Sequence, residues 1–282
     1  MPMRVSVTTG PLSEAGMRAR PAVAGPLLIT ADDFGLCPEV DDAICLLHDQ
    51  GTVLRTSLIV NTDGFDHSVD RLRRRPRLQA GIHLNLTDGR PVLPPTEVPS
   101  LVNAQGAFIG GRHYGVLFRI LAGRFRLAHI RAEWRAQAAR AKQAGIRLSH
   151  LNSHGHLHLL PRLHAIVLDL MEEFQIPFVR VLLSVDSVPH LAFRPWSARL
   201  VRDMQRRGIP VRYPERVIGL LRRGSVSRSM ILEALRHGGN GPSELIVHPS
   251  LGPNSYHARW RYDGDRVMRA LLAEDVASLV RI

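Results

Sequence analysis

The sequence predicts an α/β protein with a parallel sheet, folded as one barrel-like domain. Three observations lead there. Short apolar runs alternate with helical segments from Leu27 onward, and strand, helix, strand, helix, strand at such spacing implies right-handed crossovers between parallel strands. Several of the runs end in Asp or His, and in parallel sheets and barrels ligands bind at the carboxyl ends of strands. The 282 residues suffice for one large core, and no internal repeat or linker divides them.

Taken in order, Leu27-Leu28-Ile29-Thr30 reads as a buried strand that runs into two adjacent carboxylates, Asp32 and Asp33, then Phe34 and Gly35. Positions 38–50 read as a helix, with Pro38 in its first turn, an apolar stripe of Val40, Ile44 and Leu47, and Gly51 as its stop. A strand over 55–61, a basic helix over 66–75 closed by Pro76, and a strand over 79–86 follow. The loop 88–111 is rich in Pro and Gly and too long for a simple connection. Positions 114–127 are apolar and basic together, and fit either a helix on the barrel or a segment lying on an anionic membrane. A helix over 128–144 stopped by Gly145, a strand over 148–152, a helix over 161–174 and a strand over 178–183 continue the alternation. Basic helices are expected near 197–207 and 229–236, with a strand near Val211. A late strand ends in Val247-His248, and a helix over 263–278 closes the chain.

Composition narrows the class. No apolar run approaches the roughly 20 residues of a membrane-spanning helix. Positions 1–25 lack the apolar centre of a secretory signal, so they are read as a disordered extension of a cytoplasmic protein, and 26–282 as the barrel. Cys37 and Cys45 offer neither a metal nor a disulfide framework. The net charge of +12, mostly from Arg, attracts nucleic acid, anionic lipid or acidic substrates without choosing among them. No zinc-finger spacing, helix-turn-helix or aromatic RNA-binding motif supports nucleic acid.

The chemistry gathers at four strand ends: Asp32 and Asp33, His83, His154 and His248. One Asp would serve as a helix cap; two in a row suggest two jobs. Two imidazoles and a carboxylate form a common catalytic metal site with positions left open to water or substrate. One Asp would then bind the metal while its neighbour takes a proton from water acidified by it, and a further histidine protonates a leaving group. These residues suit metal-assisted hydrolysis of an amide or ester. Zn²⁺ and Mg²⁺ are the candidate ions, with Mn²⁺, Co²⁺ and Ni²⁺ left open.

Three motifs, Thr30-Ala31-Asp32-Asp33-Phe34-Gly35, Gly81-Ile82-His83-Leu84-Asn85-Leu86-Thr87 and Asn152-Ser153-His154-Gly155-His156-Leu157-His158, resemble the YdjC-like carbohydrate deacetylases. The resemblance implies a distorted (β/α) TIM-like barrel, related to the polysaccharide deacetylase barrel, that removes acetate from N-acetylated sugars with one divalent metal. It implies Asp33, His83 and His154 as metal ligands, Asp32 as general base and His248 as general acid. Asn152, His156, His158 and Arg180 are candidates for substrate contact. Asn152 stands where many chito-oligosaccharide members carry Asp; with the loop 89–95 and Arg194-Pro195-Trp196, it resembles the hopanoid-biosynthesis-associated (HpnK-like) branch. That branch implies an N-acetylglucosaminyl hopanoid lipid as substrate, and the apolar and basic segment 114–127 agrees with peripheral contact at the inner membrane. The alternatives are a soluble deacetylase of the diacetylchitobiose type, another barrel hydrolase such as a phosphoesterase, and a non-enzymatic nucleic-acid or membrane-binding protein.

Overall fold

A computed structural model describes residues 27–110, 113–210, 212–220, 226–236 and 241–280. The expected N-terminal extension and Val211 lie outside them. Six strands form one parallel sheet: β1 (Leu27–Phe34), β2 (Arg55–Leu58), β3 (Gln79–Leu84), β4 (Leu151–Ser153), β5 (Arg216–Ile218) and β6 (Ser243–Val247), in the order β4-β3-β2-β1-β6-β5. The sheet curls into a half-barrel with β1 near its middle. The strand expected over 178–183 is present only as isolated bridges, from Val179 to Leu151 and from Phe178 to Arg212, with Val185 bridging Val217. This segment therefore links β4 at one edge of the sheet to β5 at the other. Pro177 gives it no donor at its start, and Arg180 turns a guanidinium inward where a buried strand would carry an apolar side chain.

Helices cover the outside: α1 (Pro38–Asp49), α2 (Phe65–Arg73), α3 (His113–Leu121), α4 (Leu127–Gln143), α5 (His164–Glu173), α6 (Arg194–Arg206), α7 (Arg228–Arg236), α8 (Ser255–Trp260), α9 (Gly264–Leu272) and α10 (Glu274–Val280). The predicted stripe Val40, Ile44 and Leu47 is fully buried against the sheet. The single helix expected over 263–278 is two, because Ala273 adopts an extended backbone between α9 and α10. Short α8 was not expected; Asn254 caps it by accepting from the His257 N–H at 2.8 Å. No helix among the described residues is long and apolar enough to cross a membrane.

Two adjacent carboxylates on a regular strand would point to opposite faces. Here β1 bulges: Ala31 pairs with Thr56 and Phe34 with Leu58, so Asp32 and Asp33 together oppose Ser57 alone. Asp33 takes the left-handed backbone this requires, at φ 72°, a conformation Asp tolerates better than most residues. The bulge is what lets both side chains serve one end of the sheet. Gly35 follows at φ +90°, where a Cβ would lie 2.4 Å from the Ile59 carbonyl oxygen.

Asp41, in the first turn of α1, fastens this exit. Its Oδ1 accepts from the Gly35 N–H at 2.6 Å and its Oδ2 from the Ser68 hydroxyl at 2.5 Å. On the other side of the barrel mouth, α4 pins the end of β3 and the long loop. Gln137 bonds both backbone groups of Asn85, and buried Glu133 accepts from the Val92 and Leu93 N–H groups.

Burial pushes the Asp41 carboxyl up to about 6. The folded state thus holds that proton more tightly than the unfolded chain, so stability is greatest below the ordinary carboxylate range and is lost as pH rises through about 6. Asp41→Asn keeps an acceptor for Gly35 and sheds the buried charge. Thermal melts should show the variant gaining about 1–3 kcal/mol over wild type at pH 8 and nothing at pH 4. An equal difference at both pH values would remove the charge explanation.

Candidate metal centre

Asp33 leaves the bulge of β1, His83 sits on β3, and His154 follows β4 at the start of a 3₁₀ segment, His154–Leu159. One donor atom from each lies within 4.8 Å of the others, and all three residues are buried. Asp33 Oδ1 is 3.3 Å from His83 Nε2 and 3.2 Å from His154 Nδ1. Burial works against the Asp33 charge, but the neighbouring His154 imidazole outweighs it and holds the carboxyl well below its ordinary range. Asp33 Oδ2 is buried and has no hydrogen-bond partner among the described residues. A buried, ionised carboxylate with Oδ1 facing two imidazole nitrogens and Oδ2 without a donor fits a cation better than it fits an apolar interior.

The far side of His83 is fixed too. Its Nδ1 lies 2.7 Å from Asn152 Oδ1, while Asn152 Nδ2 donates to Ser57 Oγ at 2.8 Å and to Asp32 Oδ1 at 3.2 Å. The carboxylate accepts only donors, so the Asn152 amide must turn its NH₂ to Asp32 and its carbonyl to His83. His83 therefore carries its proton on Nδ1 and offers the Nε2 lone pair to the Asp33 side, as a ligand must.

Asp32 is 2 % exposed and heavily bonded. Oδ1 accepts from Ser57 at 2.6 Å, from Asn152 and from Arg180 Nη2 at 3.0 Å; Oδ2 accepts from Arg180 Nη1 at 2.5 Å. Arg180 is fully buried and turns its remaining donors to Glu244 on β6, at 2.9 and 3.0 Å. Burial opposes the Asp32 charge, yet Arg180, with help from His83 and His248, holds the carboxyl far below its ordinary value.

His248 follows β6 with Nε2 3.9 Å from Asp33 Oδ2, and its ring stacks on Tyr262 at 4.1 Å between centroids. Burial draws its pKa down to about 4. The structure thus brings Asp32, Asp33, His83, His154 and His248 to one end of the sheet. Three of the four candidates for substrate contact are placed otherwise. Asn152 bridges Asp32 and His83; Arg180 is sealed between Asp32 and Glu244; His158 is fully buried, with Nδ1 on Ser153 Oγ and Nε2 on the Arg180 carbonyl. His156 has a left-handed backbone at φ 57° and lies edge-on to His190 and Phe193, 5.5 and 6.1 Å away between centroids.

Sequence reasoning missed Ser57, Glu244 and Asp88. Asp88 Oδ2 lies 4.0 Å from His154 Nε2, and its Oδ1 accepts from Arg259 at 2.5 Å. A signal for Glu244 was available: a carboxylate at the head of the apolar run Leu245-Ile246-Val247 needs a buried cation, and Arg180 is that cation.

The family model described as YdjC-like protein matches residues 26–281. A carbohydrate deacetylase of Brevibacillus brevis is 39% identical over 151 residues, 54% of this chain and 57% of that one. One of Oceanobacillus iheyensis is 37% identical over 149 residues, 53% and 62% of the two chains. The matched part thus spans less than two thirds of these two relatives. A human carbohydrate deacetylase is 28% identical over 289 residues, covering 90% of this chain and 88% of that one. A crystal structure from Enterococcus faecalis V583, described as a cellobiose-phosphate cleavage protein, superposes with a TM-score of 0.72 at 25% identity, covering 91% of this chain and 94% of the other. The chain belongs to the YdjC-like protein family.

Proposed function

We propose that this protein is a metal-dependent carbohydrate N-deacetylase, a hydrolase of an amide C–N bond. One observation carries the reading: the β1 bulge sets a cation-seeking carboxylate and a second, Arg-locked carboxylate side by side. The names of the relatives supply the substrate class, an acetylated sugar.

Asp33 and the Nε2 and Nδ1 atoms of His83 and His154 would hold the ion. When bound there, a divalent cation lowers the pKa of water from about 15.7 toward 7 and polarises a carbonyl. Everything else falls to the chain. Asp32, kept strongly acidic by Arg180, is a weak base and suits only water that is itself acidified. Its Oδ2, with one donor against three on Oδ1, is the oxygen with room for that proton. His248 stands on the Asp33 Oδ2 side, where it would give a proton to the departing amine. Its ring rests neutral and gains affinity for a proton as negative charge builds on the acetyl carbon's oxygens. Because the ring rests neutral, it must first gain the proton it gives. The proton taken from water at Asp32 would be relayed to His248 and on to the nitrogen as the C–N bond breaks. The acid's remaining proton joins the amine, leaving acetate, an ammonium group and both side chains as they began.

For the finer substrate, an N-acetylglucosaminyl hopanoid, the support is the HpnK-like resemblance; the kinship to polysaccharide deacetylases rests on the YdjC-like resemblance. On α3, Phe118 is 61% exposed and Leu121 45%, beside Arg119, Arg124 and Arg126, a mixture that suits the surface of an anionic inner membrane. Turnover of the acetylated lipid against N,N′-diacetylchitobiose separates this substrate from the soluble one, and acetate against phosphate release separates a phosphoesterase.

Asp32→Asn should retain bound metal and lose about 10²–10⁴-fold in kcat; near-normal turnover would take the base role from Asp32. His83→Ala should lose the metal measured by elemental analysis after dialysis. Full occupancy in that variant would overturn the ligand set.

A further inference from the structure

Beneath Asp32 lies a histidine that the proposed reaction does not use. His150 precedes β4, is fully buried, and has its Nε2 3.0 Å from Ser57 Oγ and its Nδ1 2.9 Å from Ser149 Oγ. The fold makes room for it deliberately: a Cβ on Gly81 would fall 2.4 Å from three atoms of the ring. A buried imidazole that occupies the only space left by a glycine on the neighbouring strand is placed for its nitrogens, since an aliphatic side chain would fill the space at no polar cost.

A count of protons fixes what the ring does. The Ser57 hydroxyl has one hydrogen and three polar neighbours: Asp32 Oδ1 at 2.6 Å, Asn152 Nδ2 at 2.8 Å and His150 Nε2 at 3.0 Å. The carboxylate accepts only, so the hydroxyl hydrogen goes to Asp32. The two lone pairs of Oγ are left for Asn152 N–H and for His150, which must donate from Nε2. With Nε2 protonated, Nδ1 is the acceptor for the Ser149 hydroxyl at 2.9 Å; the other acceptor within reach of that hydroxyl, the Ala80 carbonyl at 3.0 Å, already receives the Ser149 backbone N–H at 2.8 Å. Burial, with the Arg55 and Arg180 charges nearby, keeps the ring from taking a second proton.

We propose that His150 is a positioning residue for the deacetylation: as the neutral Nε2–H tautomer it holds Ser57 so that the hydroxyl saturates Asp32 Oδ1 and leaves Oδ2 as the proton-accepting atom. The inference rests on Asp32 as the base, and it reaches the reaction only through Ser57. The group it serves is a carboxylate whose two oxygens differ in their bonding; without the Ser57 hydroxyl that difference shrinks, and water has two half-competent acceptors instead of one aligned one.

Two measurements test it. Nitrogen-15 NMR of labelled imidazoles in the wild-type protein reads the tautomer directly, and needs no turnover. Protonated Nε2 with bare Nδ1 through the neutral pH range is expected; the opposite tautomer or a charged ring overturns the inference. Kinetics on N,N′-diacetylchitobiose and on N-acetylglucosamine carried by an alkyl chain then compare Ser57→Ala, His150→Phe and His150→Gln, each with metal content and melting temperature checked. Ser57→Ala and His150→Phe should lose about 10- to 100-fold in kcat with KM and bound metal unchanged. His150→Gln, whose amide NH₂ reaches the place of Nε2–H, should recover most of that loss. Equal kcat in Ser57→Ala and wild type, or a glutamine no better than phenylalanine, overturns the proposal. If wild type releases no acetate from either substrate, the deacetylase reading falls instead, and the tautomer alone decides the role of His150.

Discussion

The buried pairing of Asp32 with Arg180 is the interaction on which this architecture depends. An isolated carboxylate at 2 % exposure would take up a proton or empty the sheet of its neighbours. Arg180 meets both of its oxygens, and Glu244 meets the rest of Arg180, so the charge at the mouth of the sheet is continued to a strand on its other side. The pairing also orders what lies around it. Because Asp32 stays ionised, it accepts only donors; that orients the Asn152 amide, which sets the His83 tautomer, which aims a lone pair at Asp33. One anion thereby arranges the candidate cation-binding triad that it does not itself join.

Asp32 and Arg180 together also account for the irregular part of the fold. A guanidinium has to enter the sheet interior from somewhere, and it enters from the segment 178–185, the one that spans the two sheet edges by single bridges. A regular strand there would be buried on both faces and lined by apolar side chains. The barrel is thus closed loosely where its charged interior is supplied, and firmly around β1, where the carboxylates need fixed positions.

Much of this was legible in the residues. The four strand ends carrying Asp32, Asp33, His83, His154 and His248 were placed by apolar runs and their stops, and all five side chains meet at one end of the sheet. The helices were readable where apolar spacing was strong, as in α1, or where helix-forming residues were dense and a glycine stopped them, as in α4, and not at Ala273, where a single extended residue splits a continuous helical pattern. The polar interior was not legible. Asn152, His158 and Arg180 carry groups that recognise sugars as readily as they bond one another, and only three-dimensional neighbours decide which. Ser57, in a four-residue strand with nothing catalytic beside it in sequence, gave no sign of facing a carboxylate that comes from 25 residues upstream. The β1 bulge was equally hidden, since two adjacent aspartates look the same on paper whether or not the strand is regular.

The ring of His150 and the missing side chain of Gly81 are complementary in volume. Neither position is free to drift alone. Alanine at 81 would evict the imidazole, and a small residue at 150 would open a void beside a residue with nothing to fill it. Among descendants of this chain the two sites should be inherited as a pair, so that a bulkier residue on the third strand marks a lineage that has given up the histidine.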